Sequence, residues 1–223
     1  MALYLAMGPS GAGKDTLLLG ARAALAAAGD ASVQFITRHL TRAASDCTDI
    51  EHSVTHEEFE RAQAQGEVRL DPSLRSRVLL ITPAKASRFA QHAFSWDAHN
   101  TRYAIPRGAL ETALDRNARC LLNVSRTVVG DVLAYGQEKK VPVYALYITC
   151  GDLHLKERLL ARGREDAAAI DGRLARSRAL MPTGEHVLTI VNEGTVEEGV
   201  DAVAGGELVP ELVEVRVDCP TQH

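Results

Sequence analysis

The residues best suited to chemistry form a glycine-rich segment near the start of the chain, Gly8-Pro9-Ser10-Gly11-Ala12-Gly13-Lys14. An apolar run precedes this segment, and leucines and alanines at helical spacing follow it. A strand, then G-x-x-x-x-G-K, then a helix is the context of a P-loop, in which glycines let backbone N–H groups approach phosphate oxygens. The lysine adds a positive charge for the β- and γ-phosphates. The pattern predicts that residues 8–16 bind a nucleoside triphosphate, most simply ATP.

The residue after the lysine departs from the usual P-loop pattern. A Ser or Thr normally stands there as a Mg²⁺ ligand, whereas this chain has Asp15 and carries the hydroxyl one residue later, at Thr16. A carboxylate is also a suitable oxygen ligand for Mg²⁺. An acidic residue equally favours the first turn of a helix. We expect Asp15 and Thr16 to hold Mg²⁺, with the helix-stabilising interpretation of Asp15 left open.

An arginine-dense turn lies between two predicted helices. Arg158, Arg162 and Arg164 stand close to Gly163, and Arg173 follows on the next helix. Phosphoryl transfer needs positive charge around the transferring group and the exclusion of water. A closing lid that carries arginines supplies both. We therefore predict a lid here; the alternative is a solvated helix face with Arg/Glu pairs.

Polar residues also follow two of the predicted strands. Arg38 and Arg42 come directly after one strand, at the sheet edge where α/β proteins bind ligands, and the planar guanidinium suits phosphate. The alternative is a surface loop whose arginines pair with Asp46 or Asp49. A second group, Asn123-Val124-Ser125-Arg126, ends another strand; its polar side chains fit a sugar or its phosphate. Asn123 and Ser125 equally suit the cap of the following helix.

These segments need a scaffold that brings strand ends together. Strands alternating with helices imply right-handed crossovers and a parallel sheet covered on both faces. Residues 38–102 are polar and irregular and contain one clear helix, so they are predicted to form an excursion between core elements. Strands are predicted at 2–7, 32–37, 120–124, 143–148 and 187–191, and helices at 14–28, 57–65, 107–116, 127–140, 153–162 and 170–180.

Composition narrows the class of protein. The chain has 223 residues, 46% of them hydrophobic, which fits one α/β domain with a sizeable core. A net charge of −4 argues against a nucleic-acid surface. The four cysteines are scattered, which indicates reduced thiols, and the N-terminal apolar run is too short for a signal peptide or membrane span. We expect a cytoplasmic protein without a nucleic-acid or membrane partner.

Taken in order, these motifs resemble the guanylate-kinase-like nucleoside monophosphate kinases, and within them the ribose 1,5-bisphosphate phosphokinases of phosphonate catabolism. The resemblance covers roughly residues 2–200. The segments that carry it are GPSGAGKDT (8–16), ITRHLTR (36–42), FSWDAHNTRYAI (94–105), LLNVSR (121–126), RLLARGRED (158–166), AAIDGRLARS (168–177) and Asn192.

Three places distinguish the two groups of kinases. Guanylate kinases carry a glutamate that reads the guanine edge and a tyrosine-rich segment that binds the GMP phosphate. This chain has Ser95-Trp96 and Glu51-His52-Ser53-Val54 in those places. It also has the N-x-S-R form of the later strand end instead of an aspartate-containing D-x-x-G segment. The resemblance therefore implies a smaller, doubly phosphorylated sugar as the acceptor.

The resemblance implies phosphorylation of ribose 1,5-bisphosphate by ATP and Mg²⁺ to 5-phospho-α-D-ribose 1-diphosphate. Lys14 and Mg²⁺ would contact the β- and γ-phosphates, with Asn192 also on the nucleotide. Arg162 and Arg164 would belong to the lid, and Arg173 would contact the transferring group. The implied acceptor contacts are Arg38, Thr41, Arg42, Trp96, Tyr103, Asn123, Ser125 and Arg126.

The implied architecture is a P-loop NTPase fold with a parallel five-stranded sheet flanked by helices, as in nucleoside monophosphate kinases. One kinase domain would span 1–205, with its core at 1–37, 103–155 and 171–205, an acceptor-binding excursion at 38–102 and a lid at 156–170. Residues 206–223 would be a tail. A segment at 67–88 looks inserted and could reshape the acceptor site, mediate homodimer formation or be disordered.

Two alternatives to this function remain at the level of sequence. The chain could be a guanylate kinase acting on GMP, since the two groups share the order of motifs. It could also be a guanylate-kinase-like module that binds partners without catalysis, although such modules tend to lose the P-loop lysine and lid arginines that are present here.

A further departure is Tyr103-Ala104 in place of the family's Tyr-Gly, which removes the close backbone approach that glycine permits.

Overall fold

The computed structural model describes residues 1–64, 92–98, 100–161, 172 and 187–204. The chain divides into two compact units, a first unit of residues 1–35 and 117–223 and a second unit of residues 36–116. Several sequence predictions lie outside the described residues. They are Arg162, Arg164, Arg173, the helix at 170–180 apart from residue 172, the segment at 67–88 and the tail at 206–223.

The strands and helices are numbered in chain order. The strands are β1 (Ala2–Met7), β2 (Val33–Ile36), β3 (Arg38–Leu40), β4 (Glu51–Ser53), β5 (His92–Ala98), β6 (Thr101–Pro106), β7 (Arg119–Asn123), β8 (Val143–Thr149) and β9 (Val187–Val191). The helices are α1 (Lys14–Ala27), α2 (His56–Ala64), α3 (Arg107–Asp115), α4 (Val129–Lys139), α5 (Asp152–Ala161) and α6 (Val196–Ala204).

The first unit is built on a five-stranded sheet in the order β2-β7-β1-β8-β9. Strand β1 pairs in parallel with β7 and β8, and β8 pairs in parallel with β9. All six residues of β1 are buried, which is why this strand reads as a continuous apolar run. The predicted α/β fold with a parallel five-stranded sheet is confirmed.

The predicted elements of this sheet and its helices agree with the structure to within two residues wherever both are described. The helix predicted at 127–140 begins at Val129, because residues 126–128 form a 3-10 turn that Ser125 caps. Helix α1 ends at a left-handed Gly29, with φ of 71°. Within the described part of the chain, no helix is long and apolar enough to cross a membrane, and Cys47, Cys120 and Cys150 are free thiols.

The second unit contains a four-stranded sheet in the order β4-β3-β6-β5. Strands β3 and β4 are parallel, whereas β6 is antiparallel to both β3 and β5. Phe59 of α2 is 1% exposed, and the Arg102 guanidinium lies 4.5 Å from the centre of its ring. The helix predicted in this segment is confirmed as α2, whereas the prediction that the rest is irregular was wrong. Strands β3 and β4 have three residues each, too few to show a strand period, and the longer β5 and β6 were also missed.

Candidate active site

The P-loop of the first unit has a backbone that only glycine adopts readily. Gly8, Gly11 and Gly13 have φ values of 145°, 94° and 84°. A Cβ on Gly8 would lie 1.9 Å from the carbonyl oxygen of Ile148, and one on Gly13 would lie 2.4 Å from Nδ2 of Asn192. The loop is therefore held against strand β8 on one side and an asparagine on the other, and a side chain would fill either space.

Lys14 begins helix α1 and turns its side chain back over the loop. Its Nζ donates hydrogen bonds to the carbonyl oxygens of Gly8 at 2.9 Å and Pro9 at 2.8 Å. The N-terminus of α1 adds its partial positive charge at the same place. Ammonium, helix terminus and glycine backbone together fit the triphosphate of a nucleotide.

Asn192 fixes the loop from the far end of the chain. It is 8% exposed, and its Nδ2 donates to the carbonyl oxygen of Ala12 at 2.7 Å. Its own backbone carbonyl accepts from Nη2 of Arg158 at 3.2 Å, and Nη1 of Arg158 contacts Sγ of Cys150 at 3.6 Å. Asn192 also lines an open pocket of ≈ 230 Å³ beside β9 and α6. Asn192 thus contacts the P-loop itself, and its nucleotide role stays a prediction. Arg158, which the predicted catalytic set omitted, contacts Asn192.

Asp15 is hydrogen-bonded to the end of strand β7. Nδ2 of Asn123 donates to Oδ1 of Asp15 at 2.7 Å. Asn123 is 5% exposed, and its Oδ1 is buried without a hydrogen-bond partner among the described residues. A buried acceptor left in this state costs about 1–3 kcal/mol. Asn123, predicted as an acceptor contact, is therefore engaged with the P-loop helix, and Thr16, the second predicted Mg²⁺ ligand, is exposed.

The next two polar residues after β7 have separate partners. Oγ of Ser125 accepts hydrogen bonds from the backbone N and Oγ1 of Thr127, at 3.3 and 2.9 Å, and so caps the following turn. The pKa of the Arg126 guanidinium is lowered by its burial, an effect opposed by its charge interaction and hydrogen bond with Tyr147. The helix-cap interpretation thus applies to Ser125, and acceptor roles for Ser125 and Arg126 stay predictions.

In the second unit, predicted acceptor contacts surround one tyrosine ring. Nη2 of Arg42 donates to the Tyr103 hydroxyl at 2.8 Å. The guanidinium carbons of Arg38 and Arg42 lie 5.3 and 6.0 Å from the ring centre. Trp96 stacks on Tyr103 with 5.5 Å between ring centres and 5° between planes, since β5 and β6 place the two residues opposite each other. The two guanidinium groups and the phenol therefore lie together in this unit, and their role as acceptor contacts stays a prediction.

Arg38 is held by a buried ion pair. Its Nε and Nη2 donate to Oε1 of Glu51 at 3.1 and 2.5 Å, and the two side chains are 11% and 2% exposed. Oε2 of Glu51 accepts from the backbone N and Oγ1 of Thr48. The partner of Arg38 is therefore Glu51, where the alternative interpretation of the sequence had Asp46 or Asp49. Glu51 faces Arg38 because β3 and β4 pair in parallel with these residues in register.

Thr41, the remaining predicted acceptor contact in this unit, closes a strand pair. Its backbone N donates to the carbonyl oxygen of Arg102, and its Oγ1 accepts from the Arg102 backbone N, both at 3.0 Å. The hydroxyl of Thr41 is therefore used to hold the segment that carries Arg42 against strand β6.

No protein-family model matches this chain. This chain is 32% identical over 197 residues to the bifunctional ribose 1,5-bisphosphokinase-thymidine phosphorylase of Cupriavidus necator. The matched region covers 88% of this chain and 27% of that relative. The chain thus spans about a quarter of that protein's length. This chain is also 34% identical over 190 residues to ribose 1,5-bisphosphate phosphokinase PhnN of Brucella melitensis. That matched region covers 85% of this chain and 83% of the relative.

A solved structure supports the fold alone. Guanylate kinase from Anaplasma phagocytophilum superposes with a TM-score of 0.51 over 92% of this chain and 82% of its own, at 17% identity. The P-loop geometry agrees with the resemblance inferred from the motifs, and so do the arginines around Tyr103. The sequence identity over most of the Brucella relative agrees with it as well. The chain belongs to the ribose 1,5-bisphosphate phosphokinase family.

Proposed function

We propose that this protein transfers the γ-phosphoryl group of ATP to the 1-phosphate of ribose 1,5-bisphosphate in phosphonate degradation. The bond between the γ-phosphorus and the bridging oxygen breaks, a 1-phosphate oxygen bonds to the same phosphorus, and the products are ADP and 5-phospho-α-D-ribose 1-diphosphate. The observation that carries the proposal is the contact of the Arg42 guanidinium with the Tyr103 hydroxyl, next to which Trp96 stacks on the Tyr103 ring in the place of a purine-reading carboxylate.

The first unit supplies the nucleotide end. Backbone N–H groups of the glycine loop and the N-terminus of α1 bind phosphate oxygens, and Lys14 places its ammonium beside them. Asp15 and Thr16 would hold Mg²⁺, which would supply positive charge for the β- and γ-phosphates when bound. Two features make the loop suitable for a magnesium–nucleotide complex. One is the buried acceptor of Asn123 beside Asp15, and the other is the space at the glycines that a Cβ would fill.

The second unit supplies the acceptor end. The attacking phosphate is already an anion, so no side chain has to remove a proton. The obstacle is repulsion between two phosphate groups, which guanidinium groups reduce by donating bidentate hydrogen bonds. The guanidinium of Arg42 lies beside the Tyr103 hydroxyl, and Glu51 fixes the orientation of the Arg38 side chain.

The remaining predicted roles belong to the same proposal. Arg162 and Arg164 serve a lid, and Arg173 contacts the transferring group; all three lie outside the described residues. Arg126 and Ser125 assist at the sugar, and the reaction takes place in the cytoplasm.

Phosphorus NMR of the purified protein with Mg²⁺, ATP and ribose 1,5-bisphosphate tests the reaction. The expected result is a new diphosphate doublet that grows as ATP is consumed. A parallel reaction with GMP identifies the alternative: rapid GMP turnover without sugar turnover would establish a guanylate kinase. Lys14→Ala should abolish turnover, whereas Lys139→Ala, an exposed lysine of α4, should not. Activity that survives Lys14→Ala would overturn the assigned site.

The acceptor surface has its own test. Arg42→Lys keeps the positive charge and removes the planar fork that donates to Tyr103. The KM for ribose 1,5-bisphosphate should rise by about tenfold, a loss typical of one charge-assisted hydrogen bond, while the KM for ATP changes little. Arg61→Lys is the matched control, since Arg61 is exposed and pairs with Glu57 on the same helix. An equal effect of both changes on the acceptor KM would contradict the role of Arg42.

A further inference from the structure

The contact between Asp15 and Asn123 joins the two places that normally hold the metal in P-loop enzymes. Such enzymes use a Ser or Thr after the lysine and an aspartate at the end of a neighbouring strand. Asp15 follows Lys14 directly. Asn123 ends β7, which runs parallel to β1, and Asn123 is in register with Ala6, shortly before the loop. The two positions therefore correspond in location, while their chemical types are reversed.

The reversal keeps the chemistry of the pair intact. In either arrangement one partner is a carboxylate and the other is a neutral side chain that donates a hydrogen bond to it. Here the amide Nδ2 of Asn123 donates to Oδ1 of Asp15 at 2.7 Å. The number of negative charges available to a divalent cation is therefore one, as in the usual pair. If β7 ended in an asparagine and the residue after the lysine were still a Ser or Thr, the pair would carry no negative charge.

A second observation points to a ligand beside this pair. Asn123 is 5% exposed, yet its Oδ1 is buried and has no donor among the residues that the structure describes. Buried acceptors in proteins nearly always have a partner, which can be ordered water. Mg²⁺ keeps several of its waters when it binds through one or two carboxylates. An amide oxygen next to the carboxylate suits a water of the hydrated ion.

We propose that the metal site of this protein is an exchanged pair, in which Asp15 on α1 is the metal-binding carboxylate and Asn123 on β7 positions it. Asn123 is then a positioning residue for the metal and not an acceptor contact. The inference rests on the proposed function only in requiring a magnesium–nucleotide complex. It also decides between the two interpretations of Asp15, because a residue that only stabilises the first turn of α1 needs no partner on β7.

The test measures Mn²⁺ binding with ADP by electron paramagnetic resonance, without any acceptor. Asp15→Asn and Asn123→Ala should each weaken Mn²⁺ binding to the ADP complex by about 10- to 100-fold, as expected for a ligand and its hydrogen-bonded partner. ADP affinity in the presence of a chelator should change by less than about threefold, since Lys14 and the loop remain. Asp131→Asn is the matched control, because Asp131 is an exposed carboxylate shortly after β7.

The decisive variant exchanges the pair again. Asp15→Asn combined with Asn123→Asp returns the carboxylate to the strand and should recover Mn²⁺ binding to within about fivefold of the unmodified protein, well above Asp15→Asn alone. Asn123→Ser, which keeps a donor, should bind Mn²⁺ better than Asn123→Ala. Thermal melting of each variant identifies a failure to fold, and the exchanged double variant then carries the test.

Three results would overturn the inference. They are unchanged Mn²⁺ binding in Asn123→Ala, a double variant no better than Asp15→Asn, and an Asp131→Asn effect as large as that of Asp15→Asn. The proposed function fails separately: if the metal results hold but ribose 1,5-bisphosphate is not phosphorylated, the exchanged pair stands and the acceptor assignment falls.

Discussion

Replacing Gly13 with alanine should impose two costs at one position. The backbone of Gly13 is left-handed, with φ of 84°, and a Cβ there would lie 2.4 Å from Nδ2 of Asn192. The left-handed conformation costs a residue with a Cβ about 1–2 kcal/mol. Displacing Asn192 breaks its hydrogen bond to Ala12, a further loss of about 0.5–1.5 kcal/mol. We expect the free energy of unfolding to fall by about 1.5–3.5 kcal/mol.

Two other glycines separate these costs. Gly29 has φ of 71° but no atom within 4 Å of an added Cβ, so Gly29→Ala carries the backbone cost alone. Gly108 in helix α3 also has open space and no positive φ, so Gly108→Ala should be neutral or slightly stabilising. The order of stability should be Gly108→Ala, then Gly29→Ala, then Gly13→Ala.

Urea denaturation gives the three free energies, and thermal melting should show a fall of about 3–14 °C for Gly13→Ala at this chain length. Calorimetry with ADP should show weaker binding for Gly13→Ala and unchanged binding for Gly29→Ala. In an Asn192→Ala background, the excess cost of Gly13→Ala over Gly29→Ala should disappear. Equal stability of Gly13→Ala and Gly29→Ala in the unmodified background would refute the close contact with Asn192.

Three further predictions concern stability. Glu51→Gln removes the buried carboxylate partner of Arg38 and should lower the free energy of unfolding by about 3 kcal/mol in urea; a loss below about 1 kcal/mol would contradict the buried pair. Burial, with smaller effects of His39 and Arg102, lowers the pKa of His92 from 6.5 to about 4. Between pH 6.5 and 4, His92 therefore binds a proton in the unfolded chain but not in the folded protein. The free energy of unfolding should fall by up to about 3 kcal/mol as pH drops from 6.5 towards 4. His92→Gln should flatten that dependence in urea titrations at several pH values, and an unchanged slope would assign it to other groups. Ser125→Ala should cost about 1 kcal/mol as a lost cap, and an acceptor KM that stays constant in this variant would remove Ser125 from the sugar site.

The sequence was informative wherever the structural signal is local. Buried parallel strands such as β1 and β8 read as apolar runs, and helix α1 shows its apolar spacing and its terminal Gly29. The sheet of the second unit was missed, including β5 and β6 with seven and six residues. Strands β3 and β4 have three residues each, carry no readable period and are stabilised by pairing with other segments. Strand β3, for example, is defined by contacts with β4 and β6.

The P-loop itself was determined by sequence, since its glycines, its lysine and the helix that follows are contiguous and their chemistry depends on local backbone geometry. The partners of these residues were decided only by the tertiary structure. Asn123 lies 108 residues from Asp15, and Asn192 lies 180 residues from Ala12. Parallel pairing of β7 and β9 into the same sheet as β1 and β8 brings those side chains to the loop. Residue types alone therefore identified a phosphate-binding loop, and strand register turned an unusual aspartate into half of a hydrogen-bonded pair.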